Sequence, residues 1–153
     1  MDSAAMKTDK EIIRELTSEL KQCRSQINRL INQQEEYQKY FEIFIENAAD
    51  VLFIYNLETW KTEFISPSIL RTTGYTQQEA LEHTLDQVMT KESFEYLVPI
   101  KKERTEKLLK GECQNKLFID ELIHLKRDGT EYFSESYDFY TTKKDGTPII
   151  VGI

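Results

Sequence analysis

Ser134, Ser136 and Asp138 occupy alternate positions of one β-rich segment, and Leu122 and His124 hold the matching positions of the segment before it. Side chains two residues apart on a strand share a face. Hydroxyls, an imidazole and a carboxylate so arranged can hydrogen-bond a small polar molecule. The interleaved positions are apolar: Leu117, Ile119, Ile123 and Leu125, then Phe133, Tyr137 and Phe139. Periodicity alone leaves open which set faces inward, because a one-residue slip or a bulge exchanges the faces. With the polar set outward, His124, Ser134 and Asp138 are ordinary solvated surface.

Nothing else in the chain is arranged for catalysis. It has no Gly-rich phosphate loop, zinc-ligand spacing, Gly-x-Ser-x-Gly elbow or kinase signature, so the expectation is a regulatory domain rather than an enzyme. The acidic pairs Glu35-Glu36 and Glu11/Glu15 read as a solvated helix face. The chain has 153 residues, with 27 acidic against 20 basic and a net charge of −7. That balance argues against nucleic acid or an anionic membrane surface as a partner. No apolar run approaches the ~20 residues of a membrane span, and Met1 leads into a charged segment rather than a signal peptide. Two cysteines, Cys23 and Cys113, make no disulfide scaffold, which points to a reducing, cytoplasmic setting.

The elements that must position these residues follow from pattern. The first proline is Pro67 and the first glycine Gly74, so nothing breaks a helix from about Thr8 to Asn47. Along it Ile13, Leu16, Leu20, Cys23, Ile27, Leu30, Gln34, Tyr37, Phe41 and Phe44 recur at alternating steps of three and four, the a/d seam of a coiled coil. Ile at a with Leu at d favours a parallel dimer, and Glu19 at g faces Arg24 at e of the partner. Gln34 is a polar interruption that sets register. Cys23, at a d position, is a small core filler that oxidation could cross-link to its twin. The alternative is an amphipathic helix folded back onto its own domain.

Beyond Asn47 the period changes. Val51–Tyr55 and Thr62–Ile65 read as strands joined through Glu58 and Thr59, with Trp60 a partly exposed aromatic beside the turn. Ser66-Pro67-Ser68 opens a short helix ended by Gly74, and Thr76 with Glu79 forms a capping box. Lys91 to Lys110 predicts a longer helix, broken or bent near Pro99. Asp128-Gly129 and Asp145-Gly146 then separate three strands: Leu117 to Lys126, Glu131 to Thr142 and Pro148 to Ile153. The expected fold class is α+β, a five-stranded antiparallel sheet with helices inserted between its second and third strands. The expected division is 1–40 as signalling helix and 41–153 as globular domain.

From Phe41 to Ile153, about three quarters of the chain, the sequence resembles the PAS family of sensor domains. The resemblance rests on Glu46-Asn47-Ala48-Ala49-Asp50, Phe64-Ile65-Ser66-Pro67-Ser68, Gly74-Tyr75 with Glu79-Ala80-Leu81, Lys126-Arg127-Asp128-Gly129, Lys144-Asp145-Gly146 and Val151-Gly152-Ile153, in that order. It implies a cytosolic sensor feeding a histidine kinase, a diguanylate cyclase or a similar effector. The family's usual tail after the last strand is missing, so the chain is expected to be a fragment. Laid on the family pattern, the polar set points inward beside Phe53 and Tyr55. The candidate pocket lining is thus Phe53, Tyr55, His124, Ser134, Ser136 and Asp138, with buried water or a small polar ligand offsetting roughly 1–3 kcal/mol for each otherwise unsatisfied group. The apolar face would then need cover from the amphipathic helix or a partner subunit. The reactive cysteine of flavin-binding light sensors would fall at Leu85, which excludes flavin–cysteinyl photochemistry. The long helix has no histidine for haem, and His83 reads as surface. A non-covalent flavin and a ligand-free dimerisation module remain as alternatives.

Overall fold

The structure is a computed structural model that describes residues 8–153. The chain divides into two compact units, with the boundary between Ile43 and Phe44. Helix α1, Asp9–Asn47, is unbroken. Glu11 closes its first turn by accepting the Thr8 backbone N–H and hydroxyl at 2.8 and 2.9 Å. Its seam residues Ile13, Leu16, Leu20, Ile27, Leu30, Tyr37, Phe41 and Phe44 are all exposed in the single chain.

The second unit is a five-stranded sheet with helices inserted after its second strand. Its elements are β1 Phe53–Asn56, β2 Lys61–Ile65, α2 Ile69–Thr73, α3 Gln77–Glu82, α4 Leu85–Val88, α5 Lys91–Leu109, β3 Lys116–Leu125, β4 Glu131–Thr142 and β5 Pro148–Gly152. The spatial order is β2-β1-β5-β4-β3, and every pairing is antiparallel. The last strand thus lies in the middle, between the first hairpin and the β3–β4 hairpin.

Local chemistry explains most boundaries. The Asn56 carboxamide oxygen accepts the N–H groups of Glu58 and Thr59, both at 2.9 Å, and folds the β1–β2 turn. Gly74, at φ 81°, ends α2 in the left-handed region that glycine enters freely. Thr76 and Glu79 make the expected capping box of α3. Helix α4 is a single short turn that hydrophobic periodicity is too coarse to register. Helix α5 runs through Pro99 without ending. Proline removes one intrahelical hydrogen bond, but Leu97, Lys101 and Leu108 are buried on either side of it and hold the helix to the sheet.

The face of the sheet toward the helices carries Tyr55, Ile150, Tyr140, Leu122, Asp120 and Asp138, all buried. The other face exposes Leu117, Ile119, Ile123, Phe133, Tyr137, Phe139 and Val151. One core cluster joins Tyr55, Leu57, Leu108, Cys113, Tyr140 and Ile150. A second joins Met89, Leu97 and Leu122, and Leu85 packs against both. Full burial of such side chains contributes roughly 1.5–3 kcal/mol each. No helix of the described residues is long and apolar enough to cross a membrane.

Candidate functional site

A cavity of about 520 Å³ opens between the inner sheet face and the helices, within the usual range for small-molecule sites. Strand β1 sends Phe53 and Tyr55 into it, β3 sends Leu122 and His124, and β4 sends Tyr132, Ser134 and Ser136. Tyr75, His83, Leu85, Val88 and Met89 come from the helical segment, Leu97 and Lys101 from α5, and Ala49, Asp50 and Val51 from the stretch that follows α1.

The fixed polar feature of this wall is an ion pair. Lys101 Nζ donates to Asp138 Oδ2 at 2.9 Å, with the two side chains 5% and 2% exposed. Ser136 Oγ donates to Asp138 Oδ1 at 2.6 Å, so both oxygens of the carboxylate are bonded. Lys101 Nζ also lies 5.4 Å from the centre of the Tyr55 ring, a cation–π approach that stabilises a buried ammonium. One turn further along the same helix, Arg104 grips Asp120 through both terminal guanidinium nitrogens and lies over the Phe118 ring at 4.2 Å. These pairs clamp α5 to β3 and β4. Breaking a buried pair on one side costs about 3–5 kcal/mol.

His124 stacks on Tyr132 with ring centres 5.5 Å apart. Burial holds its imidazole below the ordinary value of 6.5, and the nearby Lys101 charge acts in the same sense. A hydrogen bond to the Val88 backbone and the Asp138 carboxylate oppose them. Burial pushes the Tyr132 hydroxyl up to about 12 and raises that of Tyr55 as well. Ser134 Oγ reaches only the Leu122 carbonyl, at 3.5 Å.

Close packing shapes the floor. Phe53 pairs with Gly152 across β1 and β5, and a Cβ at Gly152 would overlap the Phe53 ring. Only glycine leaves that ring its place. Near the end of α1, Ser66 Oγ accepts the Leu52 N–H at 2.8 Å, and Ser68 Oγ donates to the Asp50 carbonyl at 2.8 Å. The two hydroxyls meet at 2.6 Å, and Arg71 donates to the Ala48 carbonyl at 2.6 Å. The Ser-Pro-Ser segment and Arg71 together therefore secure residues 48–52, and Ser68 makes no side-chain cap on α2.

The structure brings Phe53, Tyr55, His124, Ser134 and Ser136 together on the cavity wall. Asp138 differs: it is sealed behind the wall, because Lys101 and Ser136 occupy its oxygens. His83, read as surface, lines the cavity, with its ring 4.8 Å from that of Tyr75. Leu125, assigned to the apolar outer set, is half-buried and also lines it. Sequence reasoning missed Lys101, Arg104 and Asp120. The available signal was the run Leu97, Lys101, Arg104, Leu108, which places both cations on the apolar stripe of α5. Leu85 presents an aliphatic side chain to the cavity. Among the described residues, no group of three or more His, Cys, Asp or Glu side chains is placed to hold a metal ion.

No protein-family profile matches the chain, and no curated protein does. Solved PAS domains do match in structure. The PAS domain of an HTR-like protein from Haloarcula marismortui superposes with a TM-score of 0.61 at 17% identity, over 82% of this chain and 96% of that one. A domain of a sensory box sensor histidine kinase/response regulator from Geobacter sulfurreducens gives 0.53 at 19% identity, over 80% and 95%. The N-terminal domain of a diguanylate cyclase with a PAS/PAC sensor from Marinobacter aquaeolei gives 0.53 at 18% identity, over 67% and 89%. The chain has the PAS fold, an α+β domain preceded by a long helix.

Proposed function

We propose that the chain is a cytoplasmic sensor module that holds a small molecule in this cavity and acts as a parallel homodimer zipped through α1. The observation that carries the reading is the cavity itself. Its wall combines aromatic rings with the Lys101 ammonium and the Ser134 hydroxyl, and it includes Ala49, Asp50 and Val51, the residues that leave α1 for β1. An occupant that presses on Asp50 or Val51 acts on a segment pinned by Ser66, Ser68 and Arg71. It thereby shifts the end of α1 in each copy. Paired helices have alternative packings close in energy, so a small displacement is passed on as a change of coil. The receiving effector, in this reading, is a histidine kinase or a diguanylate cyclase, the proteins from which two of the structural neighbours come.

The polar lining supports a ligand site over a filled, ligand-free dimerisation domain. The exposed seam Ile13, Leu16, Leu20, Ile27 and Leu30 supports the coil, as does free, exposed Cys23 at its d position. Replacing Leu16 and Leu30 together with Glu tests the assembly by light scattering. The expected outcome is a folded species of half the wild-type mass. An unchanged mass would show that the chains do not pair through this seam.

A further inference from the structure

Lys101 is the only lysine or arginine among the residues that line the cavity. An ammonium carries three N–H donors. One is given to Asp138, and the Tyr55 ring takes up part of the remaining field. The charge of Lys101 is therefore balanced inside the protein before any ligand arrives, while donor capacity is left facing the cavity. Asp138 itself is sealed off. The carboxyl groups on the lining, Asp50 and Glu135, are exposed. His124 is held toward its neutral form by burial. An anion drawn in beside Lys101 would have to share that cation with Asp138, leaving one buried negative charge in excess. A cation would meet the Lys101 charge directly. A neutral molecule meets neither penalty.

The shape of the wall narrows the class further. The rings of Tyr55, Tyr75, His124 and Tyr132 all line the space, and rings favour the faces and edges of other rings. Ser134 donates its one hydroxyl proton to the Leu122 carbonyl at a long 3.5 Å, a bond that a closer ligand oxygen would replace.

We infer that the occupant is an uncharged, ring-bearing molecule that presents a carbonyl or hydroxyl oxygen to Lys101 and Ser134. The inference rests on the reading of the cavity as a ligand site.

Two probes of matching shape separate charge from ring: acetylnaphthalene, a neutral aryl ketone, and naphthoate, its anionic counterpart. Each is titrated calorimetrically into the full chain near neutral pH. The expected result is saturable binding of acetylnaphthalene, with naphthoate weaker by about tenfold or more, the effect of one unbalanced charge interaction. Ser134→Ala and the paired replacement Lys101→Met/Asp138→Leu should each weaken acetylnaphthalene, the pair by about tenfold. The paired variant leaves no orphaned charge, so it should fold; a matching far-ultraviolet circular dichroism spectrum verifies this. Naphthoate binding as tightly as the ketone would overturn the assignment of an uncharged ligand and leave the cavity standing as a ligand site. Ketone binding unaffected by both variants would overturn the assignment of the oxygen to Lys101 and Ser134. Failure of both probes to bind the folded wild-type chain would overturn the inference alone; the cavity reading fails if the natively purified chain also carries no small molecule in its native mass spectrum.

Discussion

Lys101 and Asp138 make the strongest single demand on the domain, because each is stable in the interior only through the other. Removing one partner strands a charge in low dielectric, whereas removing both with apolar replacements of similar volume is close to neutral. Lys101→Met should therefore lower the unfolding free energy by about 3–5 kcal/mol, and Lys101→Met/Asp138→Leu should recover most of it, in urea denaturation. Equal losses in the two variants would contradict the pairing. His124 makes a second demand. Its folded-state value lies below the unfolded 6.5, so just under that pH the unfolded chain binds a proton that the folded chain refuses. Stability then falls as pH drops below about 6.5 and stops falling, from this residue, once the folded value is passed. Lys101 and Asp138, which face the ring, act on that value in opposite senses. Thermal melts at about pH 7.5 and about pH 5.5 should show a smaller loss for His124→Gln than for the wild type. At this scale the sequence was partly legible. The alternation of Ser134, Ser136 and Asp138 marked a polar face and only the family resemblance turned it inward, while Lys101 and Arg104 lie in a stretch so charged that they resemble solvated helix surface. Their acidic partners, Asp120 and Asp138, come from strands 16 and 37 residues further on, a separation that no local pattern bridges.

At the scale of elements, turn and cap chemistry was the most readable part. Thr76 with Glu79, Gly74, Asp128-Gly129 and Asp145-Gly146 each mark a boundary where the structure has one. These are local hydrogen-bonding and φ requirements, visible in two to four residues. Pro99 does not end α5, for a complementary reason. A local cost to the helix is outweighed by burial of Leu97, Lys101 and Leu108 against the sheet, which is tertiary information. The β1–β5 contact is tertiary as well, since Gly152 matters only because the Phe53 ring lies over it. Gly152→Ala should push that ring toward the cavity and cost about 1–3 kcal/mol of stability, the usual range for overpacking. Gly152→Ala/Phe53→Leu should return part of the loss in the same denaturation experiment. No recovery would mean that the strain lies in the strand backbone instead.

For the whole molecule, element order declared an α+β fold, but the sheet order did not follow from it. Placing β5 between β1 and β4 depends on long-range pairing of Tyr55 with Ile150 and of Tyr140 with Ile150. That arrangement gives the domain two unlike faces: a buried inner one that carries the cavity, and an outer one that leaves Leu117, Ile119, Phe133 and Val151 exposed. The seam of α1 likewise leaves Ile13, Leu16, Leu20, Ile27 and Leu30 exposed. In the proposed function two chains associate and each carries a small molecule in its cavity. Native mass spectrometry of the full chain, purified without denaturation, tests both parts in one spectrum. The expected spectrum shows a species of twice the chain mass with an added increment of one small molecule per chain, and the increment is released on collisional activation. A spectrum of bare single chains at micromolar concentration would contradict both parts.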